Sequence, residues 1–158
     1  MPDDSNTLSA PVSMSGKTGS GPIRVAAIQM VAGPNVFANL KEAARLIEMA
    51  ASQGAKLAAL PEYFRLMGMN DADKVAAREQ DGSGPIQEFL SDTARRLGIW
   101  LVGGSVPLGS SRSDKVRNSC LVYNDAGKQV ARYDKIHLFG LELGSEHYSE
   151  EKTIEAGS

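Results

Sequence analysis

Cysteine, histidine and long apolar runs are the features that this sequence has least of. Its 158 residues include one cysteine, two histidines and one tryptophan. A single cysteine excludes an internal disulfide framework, and two histidines beside it cannot form a zinc site with the usual ligand spacing. No apolar run approaches the length of a membrane span, and the N-terminal residues lack the apolar core of a signal peptide. We therefore expect a cytoplasmic protein in a reducing compartment, without a metal or a membrane partner.

The sequence also lacks a large excess of either positive or negative charge. The formal net charge is −2, with 17 basic and 19 acidic side chains, so there is no basic stripe for nucleic acid and no polybasic patch for a membrane surface. The apolar fraction of 42% is that of an ordinary globular domain. We therefore expect neither nucleic acid nor a membrane surface as a partner.

The chain divides into two parts by composition. Residues 1–22 are rich in Ser, Gly, Pro and Asp and contain few large apolar side chains. Such a segment cannot offset its ordering entropy by burial, so we expect a disordered tail. Residues 23–158 carry regular apolar patterning and are expected to form one domain.

Within residues 23–158, predicted strands alternate with predicted helices. The first helix starts at an Asn35 N-cap and stops at Gly54, and the second lies between Pro85 and Gly98. The predicted strands cover residues 24–31, 56–60, 99–102, 116–123 and 129–135, the last two joined as a hairpin by a turn containing Gly127. This order predicts an α/β fold with a mixed sheet and helices on one face.

Two ionisable residues stand at the ends of apolar runs. Glu62 follows the second predicted strand, and Lys135 closes the last one. If both lie at the rim of one sheet, a carboxylate and an ammonium come together there. Each has a plainer explanation, because a glutamate after a strand is usually solvated and a strand-end lysine often protects a sheet edge.

Five short motifs give the chain a resemblance to a known family, the nitrilase superfamily of carbon–nitrogen hydrolases. Within that superfamily the chain is most similar to the branch that hydrolyses deaminated glutathione and ω-amides of keto acids. The motifs, in the family's order, are RVAAIQM at 24–30, LPEYF at 60–64, WLVGGS at 100–105, RNSCLVY at 117–123 and RYDKIHLF at 132–139.

The resemblance implies a fold and a set of catalytic residues. The fold is an αββα sandwich, of which residues 23–158 would be the N-terminal half and incomplete at the C-terminus. The family's catalytic set is Glu-Lys-Cys, in a homodimer or larger assembly, with no cofactor. Glu62 matches the general base, Lys135 matches the lysine that stabilises the oxyanion, and Glu150 matches a supporting glutamate. No cysteine of this chain matches the nucleophile.

Amide hydrolysis explains why these residue types are needed. A thiolate attacks the carbonyl, and a nearby carboxylate accepts the thiol proton and returns it to the departing nitrogen. A lysine ammonium stabilises the oxyanion of the tetrahedral intermediate. A base of this kind works best when burial raises its pKa toward neutrality, and we expect an apolar strand end to bury Glu62.

Cys120 is the only thiol, yet it does not have the sequence context of a nucleophile. It lies in the middle of a predicted strand, on one face with Val116 and Val122, and no turn exposes it. We expect a small, inert core side chain. His137 is expected to be structural, and the glycines at 103 and 104 are expected to allow close backbone packing.

These observations predict a Cys-dependent amidase acting on a small carboxylated linear amide, with the nucleophile absent from residues 1–158. The chain alone is then expected to be inactive. Two alternatives stay open at this point. One is a naturally shortened, non-catalytic homologue that associates with a complete partner, and the other is an unrelated small-molecule-binding α/β domain.

Overall fold

The computed structural model describes residues 21–68, 70, 72–144 and 146–158. The predicted tail at 1–22 therefore lies outside the described residues, except for Gly21 and Pro22. The described part contains a mixed sheet, two longer helices and a separate hairpin. None of its helices is both long enough and apolar enough to cross a lipid bilayer.

The helices and strands follow one another in the predicted α/β order. The helices are α1 (Val36–Ser52), α2 (Asp73–Ala76) and α3 (Pro85–Leu97), with a short 3-10 helix at Glu150–Lys152. The strands are β1 (Val25–Ala27), β2 (Leu57–Ala59), β3 (Trp100–Val102), β4 (Val106–Gly109), β5 (Val116–Tyr123), β6 (Gln129–Asp134), β7 (Gly140–Leu143) and β8 (Glu146–Ser149).

The helix ends follow from local chemistry that the sequence makes visible. The Asn35 side chain accepts a hydrogen bond from the Ala38 N–H at 3.0 Å and so caps α1. Helix α3 begins with Pro85 and ends at Gly98, whose φ of 62° lies in the left-handed region. Both predicted helices are confirmed, with these ends.

The large sheet combines parallel and antiparallel pairs. Strands β1, β2 and β3 are parallel, and β5 pairs antiparallel with β3, β4 and β6. Strands β3 and β4 follow each other along one edge of β5, with β6 on the other edge. The predicted hairpin of β5 and β6 is present, and Gly127 in its turn has a φ of 75°.

The core lies between one face of this sheet and helices α1 and α3, as predicted. Ala58 and Leu101 from neighbouring strands are fully buried against Ile47 of α1 and Leu90 of α3. Side chains alternate across a strand, so the other face carries Ala59, Val102 and Val122, all only partly buried. The sheet therefore has one closed apolar face and one partly open apolar face.

Several short elements were not predicted from the sequence. Strand β4 contains Pro107, which argues against a strand except at a sheet edge, and β4 is an edge strand that pairs with β5. The β7–β8 hairpin and the four-residue helix α2 are too short and too mixed in polarity to give a clear period.

Candidate active site

Glu62 lies in the turn that follows β2. Its Oε1 accepts hydrogen bonds from the Asn118 side-chain amide at 2.7 Å and from the Lys135 ammonium at 3.1 Å. The next residues anchor this turn, because Phe64 is fully buried in the core. The Glu62 side chain is 49% exposed, so the burial expected for it is not found in the described part of the chain.

Lys135 follows the last residue of β6 and lies between two carboxylates. Its Nζ is 3.1 Å from Glu62 Oε1 and 2.9 Å from Glu150 Oε2. Burial alone would lower the pKa of this ammonium, but the carboxylates of Glu150 and Glu62 outweigh it and hold the pKa above its ordinary value. Lys135 therefore stays charged at neutral pH and links the two acids.

Glu150 is the buried member of the group, with a side chain that is 3% exposed. It accepts hydrogen bonds from the Phe139 N–H at 2.8 Å and the Tyr63 hydroxyl at 2.6 Å, besides its ion pair with Lys135. Burial would raise the pKa of Glu150, but these donors outweigh it and hold the pKa below its ordinary value. The neighbouring Glu151 is exposed, so Glu150 is the glutamate that faces the site.

Tyr63 connects the Glu62 turn to Glu150. Among the described residues, Tyr63 is the single non-glycine residue with a positive φ, which is 57°. Its backbone N–H donates a hydrogen bond to Ser105 Oγ at 2.8 Å. Burial, and then the Glu150 carboxylate, raise the pKa of the phenol well above its ordinary value. The hydroxyl therefore remains protonated and available as a donor to Glu150.

The glycine pair at 103 and 104 allows the chain to pass close to this turn. Gly104 has a φ of 56°, and a Cβ there would collide with the Pro61 carbonyl oxygen. A Cβ on Gly103 would come 2.7 Å from a methyl carbon of Leu90. The expected close backbone packing is therefore present beside Glu62.

Sequence reasoning did not single out three side chains that hold this arrangement together. They are Tyr63, Ser105 and Asn118, each of which contacts the Glu62 turn or Glu150. All three lie inside the quoted family motifs, and membership of a motif was the one signal in the sequence that could have identified them as site residues. Their partners are 42 to 87 residues away in sequence, so no local pattern could identify the contacts.

Cys120 does not occupy the buried core position that was expected. It lies on the partly open face of the sheet and is partly exposed, because its neighbours Ser119 and Leu121 are the ones that turn toward the helices. Burial nevertheless raises the pKa of the Cys120 thiol. A raised pKa reduces the thiolate fraction, which disfavours a nucleophile. His137, expected to be structural, is exposed.

The arrangement can transfer a proton next to a fixed positive charge. Glu150 is saturated with donors, whereas Glu62 is half exposed and has oxygen lone pairs left for a further partner. The Lys135 ammonium beside it can stabilise a negative oxygen. A carboxylate and an ammonium at the open end of a mixed α/β sheet are suited to acid–base chemistry on a polar bond.

Comparison with known proteins gives the family. The sequence profile described as Carbon-nitrogen hydrolase matches residues 24–158, which is most of the chain. The chain belongs to the carbon–nitrogen hydrolase family, within the nitrilase superfamily. The recognition made from the five motifs is thereby confirmed.

Individual relatives agree with this assignment. The chain is 39% identical over 123 residues to the chloroplastic omega-amidase of Arabidopsis thaliana, covering 75% of this chain and 33% of that protein. It is 33% identical over 138 residues to a deaminated glutathione amidase of Synechocystis, covering 86% of this chain and 50% of that protein. The crystal structure of Saccharomyces cerevisiae Nit3, a member of branch 10 of the nitrilase superfamily, matches with a TM-score of 0.72 and 30% identity over 86% of this chain and 49% of Nit3.

The chain thus spans about half the length of these relatives, or less. The fold of the nitrilase superfamily is confirmed for the matched part.

Proposed function

We propose that Glu62 and Lys135 are catalytic residues, and that Glu150 is their supporting, positioning residue, in an amidase that cleaves a small carboxylated linear amide. Candidate substrates are deaminated glutathione and the ω-amide of a keto acid. The observation that carries the proposal is the position of the Lys135 ammonium, 3.1 Å from Glu62 and 2.9 Å from Glu150. The names of the Arabidopsis and Synechocystis relatives support this substrate class.

The first half of the proposed reaction forms a thioester. A cysteine thiol gives its proton to Glu62 as its sulfur bonds to the amide carbon. The resulting oxyanion is stabilised by the Lys135 ammonium. The C–N bond then breaks, Glu62 returns the proton to the leaving nitrogen, and an ω-amide releases ammonia.

The second half of the reaction cleaves the thioester. Glu62 takes a proton from water, the water oxygen bonds to the acyl carbon, and the C–S bond breaks. The proton returns to the sulfur and a carboxylic acid is released. Glu150 holds Lys135 in place through the ion pair at 2.9 Å, so that the ammonium faces the oxyanion. No metal or organic cofactor takes part in these steps.

The nucleophile in this proposal is a cysteine other than Cys120. Cys120 lies inside β5, and burial raises the pKa of its thiol. It is also the only cysteine of the sequence, so the 158 residues alone are inactive in this account. We place the protein in the cytoplasm because thiol chemistry of this kind needs a reducing compartment, and as a homo-oligomer by similarity to the family.

A second candidate function is binding without catalysis. The 65% exposed Val25 on edge strand β1, together with the partly open apolar face of the sheet, favours a homologue that acts by associating with a complete partner. Such a protein would be isolated from its source cell in a complex of fixed stoichiometry and without amidase activity of its own.

Mapping the acyl adduct tests the covalent route. The protein, purified as its source cell produces it, is mixed with an ω-amide, quenched in acid, digested and analysed by mass spectrometry. We expect an acyl group on a cysteine other than Cys120, and equal labelling in a Cys120→Ser variant. An adduct on Cys120 itself would contradict the assignment, and turnover without any acyl-cysteine would contradict the thioester route.

A further inference from the structure

A cavity of about 470 Å³ lies beside the catalytic cluster defined by Glu62, Lys135 and Glu150. Tyr63 and Tyr148 line it, together with Leu66, Met67, Gly68, Asn70 and Lys74. The lining therefore combines apolar and aromatic side chains with polar groups, among them the Asn70 amide and the Lys74 ammonium. A cavity of this size and composition is typical of a site for a small organic molecule.

Tyr63 joins this cavity to the catalytic cluster. Its hydroxyl donates to Glu150 at 2.6 Å, while the Lys74 Nζ lies 5.7 Å from the centre of its ring. Lys74 and the catalytic cluster are therefore separated by one tyrosine side chain. A short molecule lying along Tyr63 would extend from the catalytic cluster, at the end where the Tyr63 hydroxyl meets Glu150, to Lys74.

The distribution of charge decides which end of a bound molecule faces the catalytic cluster and which end faces Lys74. Glu62, Glu150 and Lys135 together carry one net negative charge, which disfavours an anionic group at that end. Lys74 supplies positive charge at the other end. A molecule with an amide and a carboxylate is then oriented with its amide toward Glu62 and its carboxylate toward Lys74.

A second cation lies close to Lys74. Arg65 lines a narrow space with Tyr63, Lys74 and Ser105, and the residue is 3% exposed. Its Nη1 has no hydrogen-bond partner among the described residues. Burial lowers the pKa of Arg65 to about 10, and the Glu79 carboxylate acts in the opposite direction, so the guanidinium remains charged at neutral pH. The negative charge of Glu79 offsets part of its contribution to the potential around Lys74.

We propose that Lys74 is a specificity-determining residue that binds the carboxylate of the substrate in this cavity. The inference rests on the proposed amidase function and extends it by assigning the carboxylate end of the substrate to particular residues. Lys74 acts on binding and orientation, and it takes no part in proton transfer.

A matched pair of substrates tests this role. Glutaramate carries an amide and a carboxylate, and pentanamide has the same carbon chain without the carboxylate. In the protein as its source cell produces it, Lys74→Gln should lower the kcat/KM ratio of glutaramate to pentanamide about 10- to 100-fold, through KM. Lys74→Arg, which keeps the charge, should retain most of the preference.

A lysine outside the site provides the control. Lys41 is exposed on α1, and Lys41→Gln removes the same charge and should leave both substrates unaffected. If Lys74→Gln keeps the wild-type ratio while Glu62→Gln abolishes ammonia release, the inference about Lys74 is wrong and the amidase function stands.

Direct binding separates the two claims if no amide is cleaved. Calorimetric titration with glutaramate, which then binds without being cleaved, should give binding that Lys74→Gln weakens about tenfold or more and Lys41→Gln does not. With that result Lys74 binds carboxylate although the amidase proposal fails. Absent glutaramate binding, or equal affinity in all three proteins, would overturn the inference.

Discussion

Tyr63 shows how much a single residue contributes to this site. It follows Glu62 directly, takes a left-handed backbone conformation and reaches Glu150 with its hydroxyl. For a non-glycine residue this conformation costs about 1 kcal/mol or more. The hydrogen bonds to Ser105 and Glu150 keep the turn in that conformation. This backbone conformation directs the Glu62 side chain toward Lys135.

Removing the Tyr63 hydroxyl should weaken the fold measurably. In Tyr63→Phe the buried Glu150 carboxylate loses a donor at 2.6 Å, and we expect the free energy of unfolding to fall by about 1–2 kcal/mol. Urea unfolding at neutral pH measures this. Tyr133→Phe is the matched control because Tyr133 is 54% exposed, and an equal loss in both variants would contradict the role assigned to the Tyr63–Glu150 contact.

Glu150 should make stability depend on acid. Its folded-state pKa lies below the ordinary value of 4.5, so its contribution is complete above that pH and is lost as the pH falls through the lowered pKa. Lys135 makes stability depend on pH at the alkaline end of the range. Its folded-state pKa lies above the ordinary value of 10.5, so its contribution is complete below that pH and is lost as the pH rises through the raised pKa.

Urea unfolding between pH 3 and pH 7 tests the acid limb. Glu150→Gln should be less stable than wild type at pH 7 by about 1–3 kcal/mol, and the difference should shrink as the pH falls. Glu151→Gln, at an exposed position, should follow the wild-type curve. Curves for wild type and Glu150→Gln that stay parallel across the range would show that Glu150 does not supply this dependence.

Among the helices and strands, α3 has its N-terminus capped by Glu79, a residue that lies outside the helix. Glu79 is 7% exposed, and its carboxylate accepts from the Ile86 N–H at 2.6 Å and the Gln87 N–H at 3.2 Å. Gly84 precedes the helix with a φ of 140°, and a Cβ there would collide with the Glu79 side chain. The negative charge of Glu79 thus lies at the positive end of the helix dipole.

Loss of the Glu79 carboxylate should destabilise α3. We expect Glu79→Ala to lower the free energy of unfolding by about 2–3 kcal/mol, because the first N–H groups of the helix lose their buried acceptor. Thermal or urea unfolding followed by circular dichroism measures the change. Glu88→Ala, exposed in the first turn of the same helix, should cost less than about 1 kcal/mol. Equal losses would contradict the capping role.

At the scale of helices and strands, the sequence predicts the features that depend on residues close together in the chain. The ends of α1 and α3 and the β5–β6 hairpin were predicted because their signals, Asn35, Pro85, Gly98 and Gly127, are local. Glu79 was missed because it lies several residues before the helix that it caps. Glu62 and Lys135 were selected by their positions after predicted strands and by the family motifs, and Glu150 by the family resemblance. Their actual contacts depend on residues distant in sequence.

The molecule as a whole has an uneven surface. Helices cover one face of the sheet, while Ala59, Val102 and Val122 on the other face are only partly buried. Val25 on the edge strand β1 is 65% exposed, and Leu143 of the β7–β8 hairpin is 68% exposed. Exposed apolar surface at a sheet edge favours association.

The 158-residue chain, expressed alone, should therefore self-associate. Sedimentation velocity over a range of concentrations should show species larger than the 16.8 kDa monomer. Val25→Lys should reduce their fraction, since a charge on an edge strand opposes pairing. Ser113→Lys adds the same charge in an exposed loop and should have little effect. A single monomeric species at all concentrations would contradict this expectation.

The most direct test of the account is ammonia release from an ω-amide by the protein as its source cell produces it, with Glu62→Gln and Glu151→Gln measured beside it. Glutamine keeps the shape of the Glu62 side chain but cannot accept a proton at neutral pH. The account predicts a rate about 10²- to 10⁴-fold lower for Glu62→Gln and a wild-type rate for Glu151→Gln. Ammonia release by Glu62→Gln at the wild-type rate would contradict the account.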